Sequence, residues 1–147
     1  MVVVKLKENK DLKDIEVLIQ YEHMDQRVRR LEHLTKSVDY SLKCSLDGEI
    51  KWINITSILY IESVSKKTFV YSKNEVLQTE LRLYQILEQF ESAGLAQVSK
   101  FCLVNLYHLK SIRTLINSRM EGMLINGERI TVSRKYIPEI KMKLTER

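Results

Sequence analysis

The sequence predicts an α+β domain, predominantly β, and three observations carry that prediction. Short runs that alternate apolar and polar residues recur along the chain, as in Ile15–Tyr21 and Tyr40–Leu46. Two dipeptides, Asp47-Gly48 and Asn126-Gly127, are strong signals for two-residue hairpin turns. Only Gln26–Val38, Glu80–Ser92 and a segment after Ser133 read as helix.

In chain order, Val2–Lys7 is a β-branched run that reads as a first strand, and Ile15–Tyr21 reads as a second, half-buried one. Asp25 is placed to cap a helix whose apolar face is Val28, Leu31, Leu34 and Val38. Tyr40–Leu46 and Glu49–Ile53 form a hairpin across Asp47-Gly48, with Trp52 packing on it. The first part of the chain thus reads β-β-α-β-β. Ile58–Glu62, Phe69–Ser72 and Val76–Gln78 follow as short strands around a polar loop at Lys66, Lys67 and Thr68. Thr79 is a fair N-cap for a helix with Leu83, Ile86, Leu87 and Phe90 on one face, and Gly94 stands where a C-cap glycine belongs. Ala96–Ser99 reads as a strand, whereas Cys102–Asn105 reads as a helical turn or tight loop. Leu109–Ile116, Met120–Ile125 and Glu128–Val132 complete a meander, its last turn a type I′ hairpin at Asn126-Gly127. A final helix reaches about Leu144, its regular part delayed by Pro138.

Composition bounds the class. A chain of 147 residues with 44% hydrophobic content suits one domain, or one domain with a small extension. Four glycines and one proline argue against disorder. No apolar run approaches the ~20 residues of a membrane span. The opening MVVVKLKENK carries charges where a signal peptide would be apolar. Cys44 and Cys102 lack a CxxC spacing and read as reduced core residues, so a cytoplasmic protein is expected.

The chemistry of an enzyme is missing from the motifs. His23, His33 and His108 show no metal-ligand spacing, and no phosphate-binding, dinucleotide-binding or GxSxG pattern occurs. Neither an enzyme nor a bound metal or cofactor is expected. A paired-helix DNA reader is equally absent, since the Gln26–Val38 helix has no short partner helix beside it. Charge is informative. Residues 95–147 hold 10 Lys+Arg against 4 Asp+Glu, leaving 14 against 15 for residues 1–94. The basic excess is therefore confined to the last third, which points to a polyanionic partner such as nucleic acid.

At this point five segments become recognisable in order: ILYIES at 58–63, FVYS at 69–72, RLYQILEQF at 82–90, SKFCLVNLYHLKSI at 99–112 and INGERITVSRKYIPEIKMKL at 125–144. Together they resemble the LytTR family of bacterial DNA-binding domains. The resemblance implies a β-sheet domain with short flanking helices over 51–147, preceded by an extension over 1–50. It implies a sequence-specific transcription regulator that inserts loop residues, not a recognition helix, into the major groove of double-stranded DNA. Carried over position by position, the family's contacts fall on or near Thr68, with Lys66 or Lys67 able to substitute, on Lys100, and on Arg134 in the VSR segment. Arg suits a bidentate contact to guanine, and Lys66, Lys67, Lys100 and Lys135 suit phosphates. Asn105 reads instead as a structural turn cap. The 1–50 segment is too short for a doubly wound receiver domain, so the resemblance is to stand-alone members. Some of these are encoded beside a small membrane protein that restrains them. A homodimer on promoter repeats is expected, with the extension as dimerisation surface or inhibitor dock. The competing expectation is a protein-interaction module whose basic face docks an acidic partner.

Overall fold

The structure, a computed structural model, describes residues 1–145 and, within them, every side chain except that of Glu91. Helix α1 (Gln26–Lys36) leads into hairpin β1 (Ser41–Leu46) and β2 (Glu49–Asn54). Strands β3 (Ile58–Val64), β4 (Lys67–Ser72) and β5 (Val76–Thr79) precede helix α2 (Leu83–Phe90). Then come β6 (Leu95–Ser99), β7 (Cys102–Asn105), β8 (Leu109–Thr114), β9 (Met120–Leu124), β10 (Arg129–Val132) and helix α3 (Ile137–Thr145). The fold is mostly β-sheet with three α-helices, as the sequence predicts.

Seven strands form one antiparallel sheet in the order β2-β1-β5-β4-β3-β7-β6, and β10-β9-β8 form a second. Alternation along the strands gives the large sheet two faces. One face carries Leu42, Cys44, Leu77, Val70, Ile61 and Leu103, and α2 covers it with Ile86 and Phe90. The opposite face is covered only at the β3-β7-β6 end. There Ala96, Val98 and Val104 pack with Leu109, Met120, Leu124 and Val132 of the small sheet and Ile140 of α3. An irregularity between Ile58 and Tyr60 shifts the alternation of β3, so Ile58 and Ile61, three residues apart, both enter the first core while Leu59 and Tyr60 both face the second.

Several expectations are corrected. Val2–Lys7 and Ile15–Tyr21 form no strand; the chain before α1 belongs to no helix or strand and is almost wholly exposed. The extension is therefore not a β-β-α-β-β unit. The division expected between residues 50 and 51 falls inside β2, whose hairpin joins the large sheet through the Ser45–Gln78 pairing. Asp25 does cap α1, its Oδ1 accepting from the Val28 N–H at 3.0 Å. The buried face of α1, however, is Val28 and His33, with Leu34 left 45% exposed. His33 stacks on Tyr107 at 3.6 Å between ring centroids. Trp52 does not pack on its hairpin and is 66% exposed. The second helix starts at Leu83 because Thr79 is the last residue of β5. Cys102–Asn105 is a strand between β3 and β6, not a turn. At Asn126-Gly127 only Gly127 has positive φ, and the Gly127 N–H donates to the Leu124 carbonyl. The connection is thus a three-residue loop with a left-handed glycine, not a type I′ turn. Ser133 makes no side-chain cap; a 3₁₀ turn (Arg134–Tyr136) precedes α3, which admits Pro138 in its first turn.

Candidate nucleic-acid interface

The cationic residues singled out in the sequence lie on three connections. The first is the β3-β4 turn, where Ser65 and Lys66 both have positive φ (50° and 66°). Two successive left-handed residues make the tight turn that suits the twist of a two-residue hairpin. Lys66 and Lys67 are exposed there. Thr68 is not: it is 6% exposed, paired with Ser63 and Thr79 in the middle of the sheet. A contact from its side chain to DNA is corrected on that ground. Its side chain points into the layer that holds Val70, and the turn's reach is left to the two lysines.

The second connection is the β6-β7 turn with Lys100 and Phe101, both exposed. The Lys100 ammonium sits 5.3 Å from the centroid of the Phe101 ring. The third begins at Ser133, where β10 ends, and carries Arg134 and Lys135, again exposed. Lys135 lies 5.5 Å from the Tyr136 ring.

Two backbone hydrogen bonds tie these connections together. The Ser63 N–H donates to the Phe101 carbonyl at 2.8 Å, fixing the second to the base of the first. The Ser133 N–H donates to the Val98 carbonyl at 2.8 Å, fixing the third to the strand that enters the second. Lys66, Lys67, Lys100, Arg134 and Lys135 thus stand on connections whose backbone is hydrogen-bonded to one another or to the strand that enters them. Between α2 and the second connection lies an open groove of about 450 Å³, with Arg82, Tyr84, Lys100 and Phe101 on its walls. Arg82 and the exposed aromatics Tyr84 and Phe101 gave no signal of a site in the sequence. An arginine or aromatic beside a helix start is too common to stand out without the neighbours that the fold supplies.

Arg134 is held in a defined pose. Its Nε and Nη2 donate to the Asn117 carbonyl at 3.1 and 2.8 Å. That contact occupies one edge of the guanidinium. The other edge, formed by Nη1 and the second Nη2 hydrogen, keeps two parallel donors for a planar acceptor pair. Asn105 has a structural role: it is buried, and its Nδ2 donates to the Ile55 and Ile58 carbonyls while its Oδ1 accepts from the Tyr107 N–H. Nearby basic residues are muted. Glu121 accepts from Arg113 at 2.9 Å and Arg129 at 2.8 Å. The Arg129 hydrogen bond, helped by Arg113, holds its carboxyl below the usual carboxylate range. Both cysteines are free thiols, and burial pushes them up, Cys44 to about 11 and Cys102 to about 12.

Residues 48–145 match the family model of the LytTr DNA-binding domain. The chain belongs to the LytTR family. Among solved structures, this LytTR domain is similar to a LytTr DNA-binding domain from Bacillus cereus, with a TM-score of 0.68 at 20% identity, over 72% of this chain and 97% of that one. Among curated proteins, it is 24% identical over 97% of its length to an uncharacterized HTH-type transcriptional regulator of Staphylococcus aureus (strain MSSA476), covering 95% of that protein. It is also 24% identical to the sensory transduction protein LytT of Bacillus cereus (strain ATCC 14579), over 88% of this chain but only 55% of that protein. In the LytTR chain described here, the three α-helices are separated from one another by strands, so no helix-turn-helix occurs among the described residues. Among the described residues no helix is long and apolar enough to cross a membrane. No group of residues among those described is arranged to hold a metal ion.

Proposed function

We propose that this LytTR domain is a bacterial transcription regulator that recognises specific duplex DNA by placing its three cationic connections in the major groove. The observation that carries the reading is the pair of backbone hydrogen bonds, Ser63 to Phe101 and Ser133 to Val98, which gathers Lys66, Lys67, Lys100, Arg134 and Lys135. Arg134 reads a guanine through the guanidinium edge that Asn117 leaves open, donating to O6 and N7. The lysines meet phosphates as mobile point charges and set position rather than sequence. Two copies act on two DNA repeats, with half-sites about one helical turn apart or a multiple of it. The names of the staphylococcal and Bacillus relatives agree with a regulatory role.

Arg134→Ala tests this directly. It should weaken binding to the selected operator by about 1–3 kcal/mol and relax the base preference at one position. A mobility-shift titration with specific and scrambled duplexes measures both. Unchanged affinity and selectivity would remove Arg134 from the reading head, and equal competition by the two duplexes would remove sequence recognition altogether.

A further inference from the structure

The segment before α1 has the composition of strands and the environment of none. Ile15, Val17, Ile19 and Tyr21 alternate with Glu16, Leu18 and Gln20, and Val2–Leu6 is mostly β-branched or aliphatic. Both runs lie in the open: Val3, Val4, Leu6, Ile15 and Leu18 are each at least three-quarters exposed. Among the described residues no backbone hydrogen bond joins Val2–Lys7 or Ile15–Tyr21 to another part of the chain. A turn at Asn9–Leu12 separates the two runs, closed by the Leu12 N–H on the Asn9 carbonyl and the Asp11 N–H on the Asn9 side chain. Such a segment does not stay solvated as a bare extended chain when a strand edge is within reach.

The same chain offers that edge. Strand β2 ends the large sheet, with β1 on one side and, among the described residues, no strand on the other. Ile50 and Trp52 point from β2 to the sheet face that the small sheet leaves uncovered, and they are 52% and 66% exposed. Val76 of β5 extends this apolar area. Natural sheet edges are normally blunted by charge, proline or a covering element, and an exposed tryptophan beside an isoleucine does the opposite. Asp14, Glu16 and Glu22, the charged residues of segment 14–22, alternate with the apolar row and so fall on the arm's other side, the face of β2 that carries Lys51.

We propose that two copies of this chain exchange arms, Ile15–Tyr21 of each adding as a strand to the β2 edge of the other and laying its apolar side over Ile50 and Trp52. Donor and acceptor lie on one chain, so a two-fold axis satisfies both at once and the assembly closes at two. The strand pattern read in the sequence and the unpaired arm in the structure then have one explanation: the strand's neighbour belongs to another molecule. The exchange places a dimer contact on a different element from the DNA-facing connections, so the two can be separated by experiment.

The test is made on the full chain without DNA, so that its failure leaves the DNA-binding reading standing. Sedimentation of the unaltered protein over a concentration series should show a monomer–dimer equilibrium. Val17→Lys with Ile19→Lys in the arm, and separately Trp52→Lys on β2, should each raise the dimer dissociation constant at least tenfold. The arm variant lies outside both cores, so its circular dichroism should match that of the unaltered protein at dilutions where both are monomers. Differently tagged copies carrying Val17→Cys and Trp52→Cys should, when mixed and oxidised, give the mixed cross-link in preference to Val17→Cys homodimers. A monomer at every concentration, a dimer indifferent to the arm variant, or cross-links only between two arms would overturn the exchange.

Discussion

Asn105 is the residue on which three elements converge. It takes two carbonyls from the Ile55–Ile58 stretch and one N–H from the turn after β7, all in a buried setting. Replacing it by alanine strands those groups without water, so Asn105→Ala should lower unfolding stability by about 2–3 kcal/mol. A shift in the urea midpoint measures this; a change below 0.5 kcal/mol, taken as ~0.5 on the usual surface scale, would show the cap to be dispensable. His33 makes a second residue-scale prediction. Burial first, then Arg30 and His108, lowers its pKa from the ordinary 6.5. The neutral ring is thus favoured in the folded state. Above pH 6.5 both states hold it neutral and it adds no pH dependence. As pH falls below that value the unfolded chain takes up the proton first, and stability drops until the folded pKa is passed. Urea midpoints between about pH 5 and 7.5 should show the decline, and His33→Phe, which keeps the stack on Tyr107, should flatten it.

At the scale of elements, the β6-β7 turn is the part most directly open to measurement. Lys100→Ala should lower affinity for any duplex and reduce the slope of log K against log salt by about one unit. An unchanged slope would mean that the ammonium meets no phosphate. How legible these elements were in the sequence depended on local contrast. The β1-β2 hairpin was readable because Asp47-Gly48 supplies two left-handed residues between alternating runs. Strand β7 was not, because Cys-Leu-Val-Asn has no polar alternation: it lies inside the sheet with both faces covered, and such a run carries no period. Alternation at Ile15–Tyr21 named a strand without naming its neighbour, since pairing is a tertiary fact. The site divided in the same way. Exposure of Lys66, Lys67, Lys100, Arg134 and Lys135 followed from polar connections, whereas the burial of Thr68 depended on a turn of two residues rather than three.

For the molecule as a whole, one sheet serves two cores and leaves part of one face bare. Backbone hydrogen bonds from Ser63 to Phe101 and from Ser133 to Val98 join the connections at one end of the large sheet to one another and to the strand beside them. The basic excess of the last third is not spread evenly over that surface, because Glu121 takes up both Arg113 and Arg129. Glu121→Gln would free two guanidinium groups on the small sheet. Binding to random-sequence duplex should then tighten and its salt dependence steepen, with the preference for operator over random DNA reduced. Filter-binding titrations at several salt concentrations measure all three; identical slopes for the two proteins would place the small sheet beyond the reach of the duplex. A lone acidic side chain would in that case act as a damper on indiscriminate stickiness. It would keep the molecule free to leave the wrong stretches of a genome quickly, and the time saved would go to searching for the right one.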